Sequence, residues 1–229
     1  MKKLLVLTLA LGLAAPLLAS AADAPFKSQP DASQWPSLFD KTLSNADFPK
    51  GVWYYTNDVL TATEDQAIWS KTDYENFAID LEFKNDPAAN SGVLFYCSNT
   101  KDWIPNAIEA QILDDYAPKW KDASKNWLCG SIFGRQAPSK QTVKPAGEWN
   151  HFTMACKGQN IWIWLNGELI NEMDLKQFTS KEKNPDGSDA PTWLGGPLSA
   201  MKTTGKVGLQ GKHSGAAIFF RNVKIKKLE

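Results

Sequence analysis

The sequence predicts an all-β protein of two packed antiparallel sheets with long loops, on three observations. From Trp35 onward the apolar residues recur mostly with a period of two, the period of a strand with one buried face. Short turn signals separate these runs, Asn166-Gly167 above all, because both residues tolerate positive φ in a two-residue hairpin. No helix of any length has convincing periodicity and caps, although Asp174 to Phe178 suits a single turn. Apolar types make up 43% of the 229 residues and aromatics 11%, a composition that excludes a disordered chain.

Gly51 to Tyr55 and Val59 to Ala62 form an early strand pair around Asn57-Asp58. Phe77, Ile79, Leu81 and Phe83 then alternate with Ala78, Asp80, Glu82 and Lys84, so the first set packs and the second is expected to be wet. Ser91 to Cys97 is a more continuously apolar strand, and Ala107 to Leu113 follows after a loop. Trp149 to Cys156 and Ile161 to Leu165 come next, with Glu168 to Asn171 returning from the Asn166-Gly167 turn. Val207 to Leu209 and Ala217 to Ile225 close the domain, and the blurred alternation within Ile218 to Val223 suits a bulge. Two stretches, Ala117 to Ala146 and Asp174 to Thr204, are too long for ordinary connections and are expected to wall a binding site.

The first 22 residues have the parts of an export signal: Lys2-Lys3, an apolar run from Leu4 to Leu13, and small residues at Ala19-Ser20-Ala21. A periplasmic or secreted protein is therefore expected, with residues 23–35 as a polar lead-in, loose until it packs near Trp35, and 36–229 as one domain. No later segment approaches the 18 apolar residues of a membrane span, and no Cys near the cleavage point suggests a lipid anchor. Removing Lys2 and Lys3 takes the 25 basic residues to 23 against 25 acidic, a formal charge of −2. Such a chain has no basic field to gather nucleic acid. Cys97, Cys129 and Cys156 allow at most one intramolecular bridge, with three pairings open, and none lies in a CxxC pair.

Within Asn106 to Asp114, Ile108, Ala110 and Ile112 face one way on a strand while Glu109 and Gln111 face the other, and Asp114 follows at the strand end. Adjacent polar groups on an otherwise apolar strand can bind sugar hydroxyls, and a carboxylate there can work as general acid or base if burial moves its pKa toward neutrality. Asn90-Ser91-Gly92 precedes a strand, where Gly92 permits close approach and Asn90 holds a bend or touches substrate. Arg135 and Arg221 are the only arginines, and Arg221 is equally suited to a structural clamp and to substrate binding. His213 sits in a turn and is a candidate proton donor or metal ligand beside Glu109, whereas His151 reads as structural. Trp69, Trp103, Trp120, Trp127 and Trp193 lie in loops or at strand ends, and Trp162 and Trp164 share a face opposite Ile161, Ile163 and Leu165. Flat indoles beside polar groups are a way to hold sugar rings.

Assembled in order, these segments resemble a known family. Trp69-Ser70-Lys71, Tyr74-Glu75-Asn76-Phe77, Ala89-Asn90-Ser91-Gly92-Val93, Glu109-Ala110-Gln111-Ile112-Leu113-Asp114, Gly147-Glu148-Trp149-Asn150, Leu165-Asn166-Gly167, Gly205 to Gln210 and Phe220 to Ile225 are similar to the 3-keto-disaccharide hydrolase domain over roughly Pro36 to Leu228. The resemblance implies a concanavalin A-like jelly-roll sandwich acting on glycosides whose sugar carries a ketone at C3. It places the Glu-x-Gln-x-x-Asp motif on Glu109, Gln111 and Asp114 and a basic residue on His213. Glu109, Asp114 and His213 are then the catalytic candidates, with Gln111, Asn90, Lys71, Trp69, Trp127 and Arg221 for substrate and a divalent cation as a candidate cofactor. Where many relatives carry Arg after the Gly-Val/Ile-x-Phe strand, this chain has Tyr96 or Cys97. A non-catalytic carbohydrate-binding sandwich is the alternative.

Overall fold

A computed structural model describes residues 23–229, so the export signal read in residues 1–22 lies outside the described residues. Twelve strands follow in chain order: β1 (Ala46–Asp47), β2 (Trp53–Thr56), β3 (Val59–Ala62), β4 (Ile68–Tyr74), β5 (Phe77–Asn85), β6 (Asn90–Cys97), β7 (Ile108–Leu113), β8 (Asn150–Lys157), β9 (Asn160–Leu165), β10 (Glu168–Asp174), β11 (Gly205–Leu209) and β12 (Ile218–Lys227). They form a five-stranded sheet, β1-β4-β11-β6-β7, and a seven-stranded sheet, β10-β9-β8-β5-β12-β3-β2, with every pairing antiparallel. The expected two-sheet sandwich is therefore what the chain forms.

The alternation read from the sequence fixes which side chains meet between the sheets. Phe77, Ile79, Leu81 and Phe83 of β5 pack with Val93 and Phe95 of β6 and with Ile108, Ala110 and Ile112 of β7. Each large apolar side chain so buried contributes ~1.5–3 kcal/mol, and this sets the facing of β7 against a one-residue slip. Both expected hairpin turns have left-handed centres: Asn57 and Asp58 at φ 46° and 64°, Asn166 and Gly167 at 53° and 91°. The bulge expected in the last strand is present, as a register shift between Arg221 and Lys224 with Asn222 at φ 52°.

Two expectations need correction. The lead-in is packed from Phe26 onward, not only where it reaches Trp35. The ring of Phe26 lies 5.8 Å from that of Trp35 and 5.9 Å from that of Trp164, and together they cover Trp162, Trp164, Ala78 and Ala155 on the outer face of the larger sheet. The Gln29 side chain secures the strap, donating to the His151 carbonyl (3.1 Å) and Thr153 Oγ1 (3.0 Å) and accepting from the Gly167 N–H (2.6 Å). For the same reason the even-numbered face of β5 is not uniformly wet: Ala78 and Asp80 are buried, and only Glu82 and Lys84 keep partial exposure. Asp80 is paired there with His151 Nε2 at 2.8 Å and with Thr153 Oγ1, which makes His151 structural. Second, β4 spans Ile68–Tyr74, a strand that the period of the apolar residues did not mark, with Trp69 near its start. Its polar half, Lys71-Thr72-Asp73, hides the alternation because it is exposed near a sheet edge.

Candidate active site

The outer face of the five-stranded sheet is the floor of a cavity of about 890 Å³. Two glycines on adjacent strands make room for it. A Cβ on Gly208 of β11 would stand 2.6 Å from Trp69 Cε3, and one on Gly92 of β6 would stand 2.7 Å from Glu109 Cγ and 2.8 Å from its Cδ. The indole of Trp69 and the carboxyl of Glu109 thus lie down over strand backbone that bears no side chain. Glu109 is one position along β7 from the inward-facing Ile108 and Ala110, and Gln111 follows on the same outer side.

A further rung runs beside β7. The Phe133 N–H donates to the Glu109 carbonyl (2.9 Å), the Gln111 N–H to the Ser131 carbonyl (3.0 Å), and the Gly130 N–H to the Gln111 carbonyl (2.8 Å). This seats Phe133 next to Glu109. The two long loops wall the cavity as expected, with Trp120, Trp127 and Phe133 from the first and Trp193, Leu194 and Leu198 from the second. On the other side of the floor are Trp69, Asn90, Asp65, Gln210 and His213. His213 Nδ1 is 2.7 Å from Asp65 Oδ2.

Burial pushes the Glu109 carboxyl up to about 8, and the charge of Asp65 adds to the rise. Its remaining exposure opens into the cavity, and it has no hydrogen-bond partner among the described residues. A carboxylate in that state is a stronger base than an exposed one, and its proton is exchangeable near neutral pH. Around it are polar groups without protein partners: Oε1 of Gln111 (2% exposed), Oε1 of Gln210 and Nη1 of Arg135 (3% exposed). Leaving such atoms buried and unpaired costs ~1–3 kcal/mol each.

Of the site residues expected from sequence, Glu109, Gln111, Asn90, Trp69, Trp127 and His213 all line this one cavity. Three others do not. The carboxylate of Asp114 accepts the Ala88 N–H at 2.8 Å and the Tyr116 N–H at 3.3 Å, holding the turn before β6. It lies one residue beyond β7, where the chain turns away after Leu113. Lys71 lies farther along β4 than Trp69, exposed, with Nζ on the Ser44 carbonyl at 2.8 Å. Arg221 is on the other sheet, where Nε and Nη2 grip Glu82 at 2.7 and 2.9 Å and the guanidinium lies 4.1 Å from the ring centre of Trp149. That is the clamp reading of this arginine.

Asp65, Gln210 and Arg135 complete the cavity without having been singled out as site residues. Asp65 stands in a polar turn with no periodicity to mark it, and Gln210 directly follows the last residue of β11. Arg135 was noticeable for its rarity alone. All three cysteines are buried and free, and burial pushes the Cys97 thiol up to about 11 and raises those of Cys129 and Cys156 as well. Neutral, buried thiols are poor nucleophiles and poor ligands. Among the described residues no group of three or more His, Cys, Asp or Glu is placed to hold a metal ion. The cation expected beside Glu109 thus lacks a ligand set there.

Among curated proteins none matches the chain. A solved structure of a candidate glycosyl hydrolase from Parabacteroides distasonis is 48% identical, covers 85% of this chain and 100% of its own, and superposes with a TM-score of 0.83. A second candidate glycosyl hydrolase from the same organism is 23% identical over 82% of this chain and 90% of its own, with a TM-score of 0.63. A Bacillus subtilis protein of unknown function with a galectin-like fold is 12% identical over 87% and 98%, with a TM-score of 0.54, and shares the sandwich alone. Residues 34–226 match the family described as the 3-keto-alpha-glucoside-1,2-lyase-like domain, and to that family this chain belongs.

Proposed function

We propose that this protein cleaves glycosides whose sugar carries a ketone at C3, by elimination followed by hydration. The observation that carries the reading is the Glu109 carboxyl, lying over Gly92 in a cavity flanked by indoles and amides and held up to about 8.

A C3 ketone acidifies the hydrogen on C2. Ionised Glu109 takes that proton, the C2–H pair becomes the C1=C2 double bond, and the C1–O bond breaks with its electrons leaving on the glycosidic oxygen. His213, oriented by Asp65, is placed to supply the proton this oxygen needs. Water then adds across the double bond: its OH goes to C1, its remaining proton restores His213, and Glu109 returns its own proton to C2. The sum is hydrolysis, and the base is regenerated. Gln111, Gln210 and Asn90 orient the sugar through its hydroxyls, and the indole of Trp69 offers its face to the ring. No step is assigned to a metal ion.

Replacing Glu109 by Gln keeps shape and removes the base, so turnover of a methyl 3-keto-glucoside should fall at least ~10³-fold with the fold retained. Undiminished turnover would remove Glu109 from the mechanism. Sugar binding without turnover in the unaltered protein would favour the carbohydrate-binding alternative, for which the indole-lined walls also speak. If residues 1–22 direct export, the reaction takes place in the periplasm or outside the cell, which an intact full-length chain in the cytoplasm would contradict.

A further inference from the structure

The cavity is too large for one sugar ring, and its two sides differ in chemistry. Hydrogen-bonding groups gather over β6, β7 and β11, whereas the side beyond β7 is aromatic. There Trp127, Phe133 and Trp193 form a continuous series, with ring centres 5.0 and 5.9 Å apart and planes inclined at 51° and 47°. Trp127 is 36% exposed and Trp193 51%. Among the described residues, three of the six exposed large apolar side chains, these two and Ile104, line this one cavity. Indoles left open to water together on one wall are a binding surface rather than core.

The wall is also rigid. Arg135 Nη2 donates to the carbonyls of Leu194 (3.4 Å) and Gly196 (3.2 Å), and Asn184 Nδ2 to the carbonyl of Gly134 (3.0 Å). Gly134 is pressed against the second loop, for a Cβ there would stand 2.6 Å from Leu194 Cδ1. Two loops about 60 residues apart in sequence are thereby fixed to each other, and their rings need no ordering when a ligand arrives. Phe133 is tied to the Glu109 backbone, so the aromatic side begins where the reacting bond would end.

We propose that this wall is the leaving-group subsite and that it takes a planar aromatic aglycone, so that aryl 3-keto-glycosides are the preferred substrates. The proposal rests on the catalytic reading above only for its kinetic arm. A second sugar would need partners for its hydroxyls, and Arg135 on this wall has Nη2 engaged by the loop carbonyls and Nη1 shut off from the surface, whereas three inclined ring faces suit a flat apolar group by stacking and edge contacts.

The test compares 2-naphthyl 3-keto-glucoside, methyl 3-keto-glucoside and a 3-keto-disaccharide on the full mature chain and on Trp193→Ala, Trp127→Ala and the conservative Trp193→Phe. The naphthyl-to-methyl ratio of kcat/KM should exceed 10 and fall about tenfold in each alanine variant, mostly through KM, with partial rescue by Phe. Quenching of indole fluorescence by 2-naphthol should persist in Glu109→Gln and be lost in Trp193→Ala. A ratio that stays within twofold in the alanine variants, or a disaccharide that loses as much as the naphthyl substrate, would overturn the proposal. Persistent naphthol binding with no turnover of any 3-keto-glycoside would sink the catalytic reading and spare the subsite. Turnover without aryl preference or naphthol binding would do the reverse.

Discussion

Gly92→Ala separates the position of the Glu109 carboxyl from its presence. A methyl group on Gly92 would stand 2.7 Å from Glu109 Cγ and 2.8 Å from Cδ, with Oε1 closer still. Ordinary carbon contacts need ~3.5–4 Å, so the carboxyl must shift by about 1 Å or swing away from the floor. The obstructing atoms belong to a flexible side chain and Gly92 has no left-handed φ, so the sheet itself can accept the change. Alanine in a strand interior is favoured over glycine by ~0.5–1 kcal/mol, which offsets part of the local crowding. Stability should therefore change by less than ~1 kcal/mol, while a 1 Å displacement of the base costs ~10²-fold in kcat. Initial rates on methyl 3-keto-glucoside across pH, beside thermal melts, measure both. The displaced carboxyl is more hydrated, so the pH at which activity rises should also move down. Activity within twofold of the parent, with an unmoved pH profile, would show that the carboxyl over Gly92 is not the reacting group.

Three further predictions follow from charge. The rate should climb as pH rises toward about 8, since Glu109 works ionised; in Asp65→Asn the climb should lie at lower pH yet remain above the ordinary carboxylate range, because burial is the larger cause. Glu109→Gln should gain stability over the parent as pH rises: the folded parent holds a proton between the ordinary 4.5 and about 8 that the unfolded chain has released, so its stability falls through that window and is flat above it, and melts from pH 5 to 9 would show the gap widening. Arg221→Lys should leave kcat/KM unchanged and lower stability by ~1 kcal/mol or less, since the Glu82 pair is partly exposed; a loss of activity would return Arg221 to the site.

Where the sequence was informative, strand parity was the reason. Burial of Ile108, Ala110 and Ile112 forces Glu109 and Gln111 to the opposite side, and two-residue turns at Asn57-Asp58 and Asn166-Gly167 fix neighbouring registers. Parity does not reach Asp114, one residue beyond β7; its place in a shared motif with Glu109 is what suggested it. What parity cannot disclose is the neighbour beyond the sheet. Ala78 and Asp80 look wet until Phe26 and Trp35 are brought over that face from another part of the chain. Asp65 carries no local mark, because its meaning comes from His213, 148 positions away. Arg221 offered two readings of equal merit, and only the partner Glu82 on the adjacent strand decides between them.

The amino-terminal strap has a consequence for the order of events as well as for burial. Gln29 meets its partners 122 to 138 positions downstream, so a stretch that emerges early must wait for β8 and the hairpin after β9 before it can settle. Until then the outer indoles of β9 have no cover. The strap also lies across the sandwich from the cavity, so cargo or a surface tether joined ahead of residue 23 would leave the mouth unobstructed.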